Sequence, residues 1–241
     1  MKHVVILFVI AISAILSPKI ATAQTADEIV QKHINAIGGL EKWEKVNSVI
    51  IKGSVSQHGM EMPVKVTKLQ GKGMKFEYSM GEMKGFALFT DKDGWAYNSY
   101  SGKQPQEMPQ EIVKQKLEHL DAQGVLIDYK KKGHSVSFDG IENQQGTACY
   151  RLIVKTAAGN VHIMYIDTVN YYCLKMVEKV ISNGEENEQS TIYGNYQKIA
   201  EGILFPMLMD VGSGPVVVSS VEINKPIPED FFLPNLPGSG K

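Results

Sequence analysis

From residue 49 onward the hydrophobic pattern of this chain runs with a period of two, run after run, with no linker between runs. Val49, Ile51, Gly53 and Val55 alternate with Ile50, Lys52, Ser54 and Ser56. Met60, Met62, Val64 and Val66 alternate with Glu61, Lys65 and Thr67, and Met74, Phe76, Tyr78 and Met80 with Lys75, Glu77 and Ser79. Successive side chains of a strand point to opposite faces, so each run is a half-buried strand with one apolar and one wet face. Gly71-Lys72-Gly73 and Asp93-Gly94 mark tight connections between neighbours. Further strands are expected at 84–90, 94–100, 125–130, 134–139, 147–156, 160–167, 171–182, 187–199, 202–206 and 215–223. A meander of about eleven strands has to curl, because flat open sheets of that size are uncommon. The expected fold is therefore mainly β with a few helices (α+β): a strongly curved antiparallel sheet forming an incomplete barrel, its concave side covered by helices.

Two segments depart from this period. Ile29, Val30, His33, Ile34 and Ile37 form a stripe at helical spacing, with Thr25 or Asp27 available as a cap and Gly38-Gly39 as a stop. A short helical turn at 40–45 follows. Pro105 interrupts the sheet, Pro109 opens a second helix over 108–120, and Ile112, Val113, Lys116, Leu117 and Leu120 give that helix its apolar face. Composition does not shift along the chain, which argues for a single domain over 24–241.

Residues 1–23 read as a secretory signal: Lys2 and His3, an apolar run from Val4 to Leu16, then Ala21-Thr22-Ala23 before Gln24. Cleavage after Ala23 would deliver the rest to the periplasm. The formal charge of −1 offers no basic stripe for nucleic acid. Arg151 is the only arginine, so a multi-arginine anion site is excluded. Cys149 and Cys173 are expected as free thiols on one face, with the strand at 160–167 between them. Two strand spacings, about 9.6 Å, are too far for a disulfide.

Chemistry-bearing motifs are scarce. His33, His58, His119, His134 and His162 are scattered, and neither H-E-x-x-H nor C-x-x-C occurs, so no metal site and no cofactor is expected. G-x-S-x-G is absent as well. The acids of Glu185-Glu186-Asn187-Glu188 sit beside Asn183-Gly184, as a solvated turn would place them. No catalytic residue is assigned, and the chain reads as a non-enzyme. The methionines say more: Met60, Met62, Met74 and Met80 fall on apolar faces of consecutive strands. Methionine is flexible and polarizable and suits adaptable apolar binding surfaces. Two helices cannot cover so many strands, so part of the apolar face should line a pocket suited to acyl chains.

Three stretches carry a family resemblance. The first runs from Ala26 to Gly39 and continues through Trp43 and Val46-Asn47-Ser48. The second is Tyr193-Gly194-Asn195-Tyr196-Gln197-Lys198-Ile199 followed by Gly202-Ile203-Leu204-Phe205-Pro206. The third is Val221 to Pro228 with Phe231-Phe232. In these the chain resembles the periplasmic outer-membrane lipoprotein-sorting carriers, the LolA/LolB-like fold. The resemblance implies a half-barrel, a lid formed by the N-terminal helix, and handling of lipid or lipoprotein acyl chains by a monomer, with membrane-associated donor or acceptor proteins as partners. The carrier of that family latches its lid with an arginine on an early strand. Here those strands offer Lys52, Lys65, Lys68 and Lys75 instead.

The expected ligand wall is Val49, Ile51, Val55, Met62, Val64, Val66, Met74, Phe76, Tyr78, Trp95 and Tyr97, and the expected lid is Ile34, Ile37, Leu117 and Leu120. A one-residue change of parity on any strand would move its set to the other face. The alternative is a protein-interaction or envelope-stress sensing module that uses the same fold without carrying acyl chains.

Overall fold

A computed structural model describes residues 24–57, 60–182, 185–212 and 214–236; the signal-like segment 1–23 lies outside them. Six strands run outward in sequence: β1 (Ser48–Gln57), β2 (Met60–Leu69), β3 (Gly73–Met80), β4 (Met83–Thr90), β5 (Gly94–Asn98) and β6 (Gln106–Glu107). The chain then crosses to the far edge. It returns through β7 (Ser135–Gln144), β8 (Thr147–Lys155), β9 (Val161–Asp167), β10 (Cys173–Ser182), β11 (Glu185–Lys198), β12 (Leu204–Asp210) and β13 (Pro215–Ile223). All 13 belong to one antiparallel sheet, in the order β6-β5-β4-β3-β2-β1-β13-β12-β11-β10-β9-β8-β7. The last strand thus pairs with the first at the middle of the sheet, while β6 and β7 form open edges. This is the incomplete barrel that the alternation requires.

Register decides which residues share a face. Val49, Ile51, Gly53 and Val55 lie opposite Lys68, Val66, Val64 and Met62. Lys68, Val66 and Val64 lie opposite Met74, Phe76 and Tyr78 in turn. On the far half, Met176 and Glu178 face Met164 and His162, which pair with Leu152 and Val154. These residues make the concave face.

Helix α1 (Ala26–Ala36) lies against it. Thr25 and Glu28 form a capping box, Thr25 Oγ1 accepting from the Glu28 N–H at 3.2 Å and Glu28 Oε2 from the Thr25 N–H at 3.1 Å. The helix ends because Gly38 and Gly39 turn left-handed, at φ 125° and 93°. Ile29, Val30 and Ile34 pack into a core with Trp43 of α2 (Leu40–Glu44), Leu126, Ile127, Leu152 and Val154. Each fully buried aliphatic side chain there contributes roughly 2 kcal/mol. The second expected helix is α3 (Gln110–Lys116), which tightens into a 3₁₀ turn at Leu117–Leu120.

The convex face has its own apolar cluster. Phe86, Leu88, Trp95 and Tyr97 pack with Phe231 and Phe232 of the 3₁₀ turn Glu229–Phe232. Gly73 makes room for this: a Cβ there would lie 2.6 Å from the Phe232 ring. Lys75 Nζ sits over the rings of Phe86 and Phe231, at 4.9 and 5.1 Å.

Three expectations are corrected. Residues 125–130 form turns, not a strand, because Gly124 and Asp128 adopt φ of 91° and 50°, which an extended ladder does not accommodate. Leu126, Ile127 and Tyr129 are nevertheless buried. The strand expected at 202–206 is β12, displaced to Leu204–Asp210. Cys149 and Cys173 are free, with β9 between their strands, but they do not share a face. A register shift between Cys173 and Lys175 puts Cys173 with the concave core, while Cys149 packs with Tyr165 and Val177 on the other side.

One join in the sheet is short. β12 and β13 pair only through Leu208–Val217, Met209–Val216 and Asp210–Pro215. Pro206 has no N–H to offer a neighbour. The Leu204 N–H, nearer the start of β12, donates instead to the Ile37 carbonyl at 2.9 Å.

Candidate functional site

A cavity of about 310 Å³ lies between the concave face and the helices. Its wall is Val49 and Ile51 from β1, Met164 and Met176 from β9 and β10, Tyr193 and Tyr196 from β11, and Leu204, Phe205, Pro206 and Met209 from β12. Ile37 and Trp43 close it from the helical side. Trp43 is held there by its indole N–H, which donates to the Ile37 carbonyl at 3.1 Å. The cavity borders β12, the strand whose pairing with β13 is short.

Of the expected wall, Val49 and Ile51 line this cavity, and of the expected lid, Ile37 does. Val55, Met62, Val64, Val66, Met74, Phe76 and Tyr78 share the face of Val49 but continue it beyond the cavity. Phe76 and Tyr78 border a separate hollow with Phe86, Ala87, Ala96, Tyr97 and Asn98. Trp95 and Tyr97 are not on the concave face. They pair with Leu88 and Phe86, one residue out of step with Ala87 and Ala96, and so belong to the convex cluster. Ile34 and Leu120 are buried in the core. Leu117 is 38% exposed and does not line the cavity. The helix winds from α to 3₁₀ at this residue, which turns Glu118 and His119 inward in its place.

The cavity also has a charged end that the alternation did not foretell: Lys68, Glu118, His119, Asp121, His162 and Glu178. His162 Nε2 lies 2.8 Å from Glu118 Oε2, and Thr156 Oγ1 donates to the other Glu118 oxygen. Burial alone would push the Glu118 carboxyl up; the hydrogen bonds from His162, Thr156 and Asn160 outweigh it and hold the group at about 2. His119 moves the other way, pushed down to about 3 by burial and then by the nearby Lys68 and Lys116, so it is neutral near pH 7. Asp121 is held by Lys132 at 2.6 Å and by Gln70 at 3.1 Å. Burial lowers the Lys68 ammonium, with Asp121 and Glu178 pulling it back. His33, expected as helix packing, is buried, its Nδ1 2.7 Å from the Tyr171 carbonyl.

The signal for this end was present. Lys68, His162 and Glu178 occupy positions whose parity is apolar on their strands, in step with Val66, Met164 and Met176. Of the four early-strand lysines, Lys68 alone has concave parity. Lys52 pairs with Glu222 at 2.8 Å, Lys65 with Glu77 at 3.2 Å, and Lys75 sits on aromatic rings. Among the described residues no cluster of histidine, cysteine or acid is arranged to hold a metal ion.

No family model matches the sequence, and no curated protein aligns with it. Among solved structures the chain is similar to a DUF1329 family protein from Desulfovibrio piger ATCC 29098, with a TM-score of 0.53 and 11% identity over 87% of this chain and 98% of that one. It is also similar to a LolA superfamily protein from Nitrosomonas europaea, with a TM-score of 0.48 and 17% identity over 87% and 98%. At such identity the likeness is one of fold alone, and it is the fold of the DUF1329 family protein that this chain shares.

Proposed function

We propose that this chain is a periplasmic, non-enzymatic binder of lipid or lipoprotein acyl chains, held between the concave sheet and the helices. One observation carries the reading: the cavity wall is built from methionine, aromatic and branched aliphatic side chains contributed by five strands and two helical segments. These side chains offer the dispersion contacts that an acyl chain requires, and the polar lining is gathered at one end. The polar groups at its end make no nucleophile–base pair. Glu118, the residue best placed as a base, is an acid too strong to take up a proton near neutrality. The signal-like segment 1–23 supports the location, and the three motif stretches support lipid handling. Donor and acceptor proteins at the two membranes would be its partners, with the chain acting as a monomer.

The test is to express the full chain with its N-terminal segment, purify it from the periplasm without detergent, and extract it for lipid mass spectrometry. Acyl lipid at a fixed ratio to protein is the expected result. If extracts are lipid-free and no added lipid changes Trp43 fluorescence, the proposal fails.

A further inference from the structure

Resting on the acyl-chain reading above, we propose that the ligand is a single-chain amphiphile ending in a carboxylate, and that Lys68 binds that carboxylate at the charged end of the cavity. The volume bears on the chain count. At about 310 Å³ the cavity is at the small end of the roughly 300–1,000 Å³ range of ligand sites, room for one chain and not several.

The head group follows from which polar atoms lack partners. Each acid at this end has a nearer partner than Lys68. Glu118 is taken by His162 and Thr156, and Asp121 by Lys132 and Gln70. Glu178 lies between His162 Nδ1 at 3.6 Å and His119 Nε2 at 3.8 Å. Two groups remain: His162 Nδ1, which has no hydrogen-bond partner, and Lys68, the lysine of the cavity lining. Its ammonium has three donors and, among the described residues, no hydrogen bond and no ion pair within 4.0 Å; it feels Asp121 and Glu178 only at longer range. Protein surrounds it on its strand, yet it is only half-buried, because what it faces is the cavity. A partly buried ammonium without a protein acceptor is under-satisfied, and a ligand oxygen is a group that would complete its contacts. A carboxylate supplies both the acceptor and the countercharge, whereas an ester or alcohol supplies an acceptor alone. The apolar wall begins beside it: Val49 lies directly opposite Lys68 in the β1–β2 pairing, and Ile51 follows on the same face. The chain would extend from Lys68 past these residues toward Met176 and Met209.

Trp43 lines the cavity, and the second tryptophan, Trp95, belongs to the convex cluster, so a Trp95→Phe chain reports the cavity alone. This chain is titrated with an ω-brominated medium-chain fatty acid, its methyl ester and the matching alcohol, reading bromine quenching of Trp43. The acid should bind on the order of tenfold tighter than the ester, the strength of one hydrogen bond to a charged group. Lys68→Met should erase that preference while leaving ester affinity in place, and Lys68→Arg should keep it. Equal affinity for acid and ester, or a preference that survives Lys68→Met, overturns the carboxylate assignment while leaving chain binding standing. No quenching by any of the three overturns chain binding itself and the head-group assignment with it. If Lys68→Met does not fold by circular dichroism, the acid-to-ester ratio of the Trp95→Phe chain and of Lys68→Arg decides the matter.

Discussion

Replacing Glu118 with glutamine keeps the shape of the side chain and removes its charge, at the point where the 3₁₀ turn is fastened to the sheet. The carboxyl is held at about 2, against 4.5 for an ordinary glutamate. Each pH unit of that difference corresponds to about 1.4 kcal/mol, so the ionised group contributes about 3 kcal/mol to the folded state. The side chain is only 15% exposed, so solvent screens little of it. The sign follows from the direction. Because the folded-state value is depressed, the contribution is whole above about pH 4.5 and is lost as pH falls toward 2. Glutamine cannot ionise. Glu118→Gln should therefore be about 3 kcal/mol less stable than the parent at pH 7, and the two should converge near pH 2. Urea denaturation followed by circular dichroism at pH 7, 5, 4, 3 and 2 measures this directly. Other carboxylates titrate in both proteins and cancel in the difference. A gap that stays constant from pH 5 to pH 2 would refute the reasoning, as would a variant as stable as the parent at pH 7.

Other substitutions test other parts of the structure. A Cβ on Gly53 would lie 2.5 Å from the Val217 carbonyl oxygen, a backbone atom that cannot swing aside, so Gly53→Ala should cost about 1–3 kcal/mol, and an unchanged melting temperature would contradict the close approach of β1 and β13. Phe232→Ala should cost about 3 kcal/mol by emptying the convex cluster while leaving the affinity of the brominated ester within twofold or so; a lost affinity would place Phe232 in the binding site. Burial pushes the Cys173 thiol up to about 12 and also raises Cys149, so neither should react with a thiol reagent at pH 8 in the native state. Both should react once urea unfolds the chain; a chain that stays unreactive in urea would carry a disulfide.

The sheet was legible because its signal is repeated. One period-two run is ambiguous, but β1, β2 and β3 each alternate in step, and register then carries the concave assignment of Val49 across to Val66 and Phe76. Parity failed where the chain gave no local mark. Trp95 and Tyr97 are large and apolar, and nothing near them tells which face is which; the deciding fact is the tail that returns to cover them with Phe232. Cys173 changed face through a bulge that sequence does not announce. At 125–130 the buried Leu126 and Ile127 suggested a strand, while Gly124 and Asp128 in left-handed conformations made turns of it. The cavity was harder to read. Met60, Met62, Met74 and Met80 suggested an apolar pocket but do not line this one, which takes Met164, Met176 and Met209 instead, and Lys68, Glu118, His162 and Glu178 come from four separate elements and meet only when the sheet curls.

The pairing of β1 with β13 has a consequence for how this molecule comes into being. Ser48 begins one strand and Ile223 ends the other, so the central ladder of the sheet joins segments that are nearly the whole chain apart. The outward meander can form from its own hairpins as soon as it is available. Its inner edge, however, stays unsatisfied until the final strand arrives, and loop closure over such a span makes folding slow. An exposed strand edge on a half-made sheet is also an invitation to aggregate. A chain of this topology commits to its native state only after its last segment has emerged. That delay is a hazard during synthesis, but on the periplasmic location proposed above it would be an advantage, since a polypeptide that has yet to fold can still be threaded across a membrane.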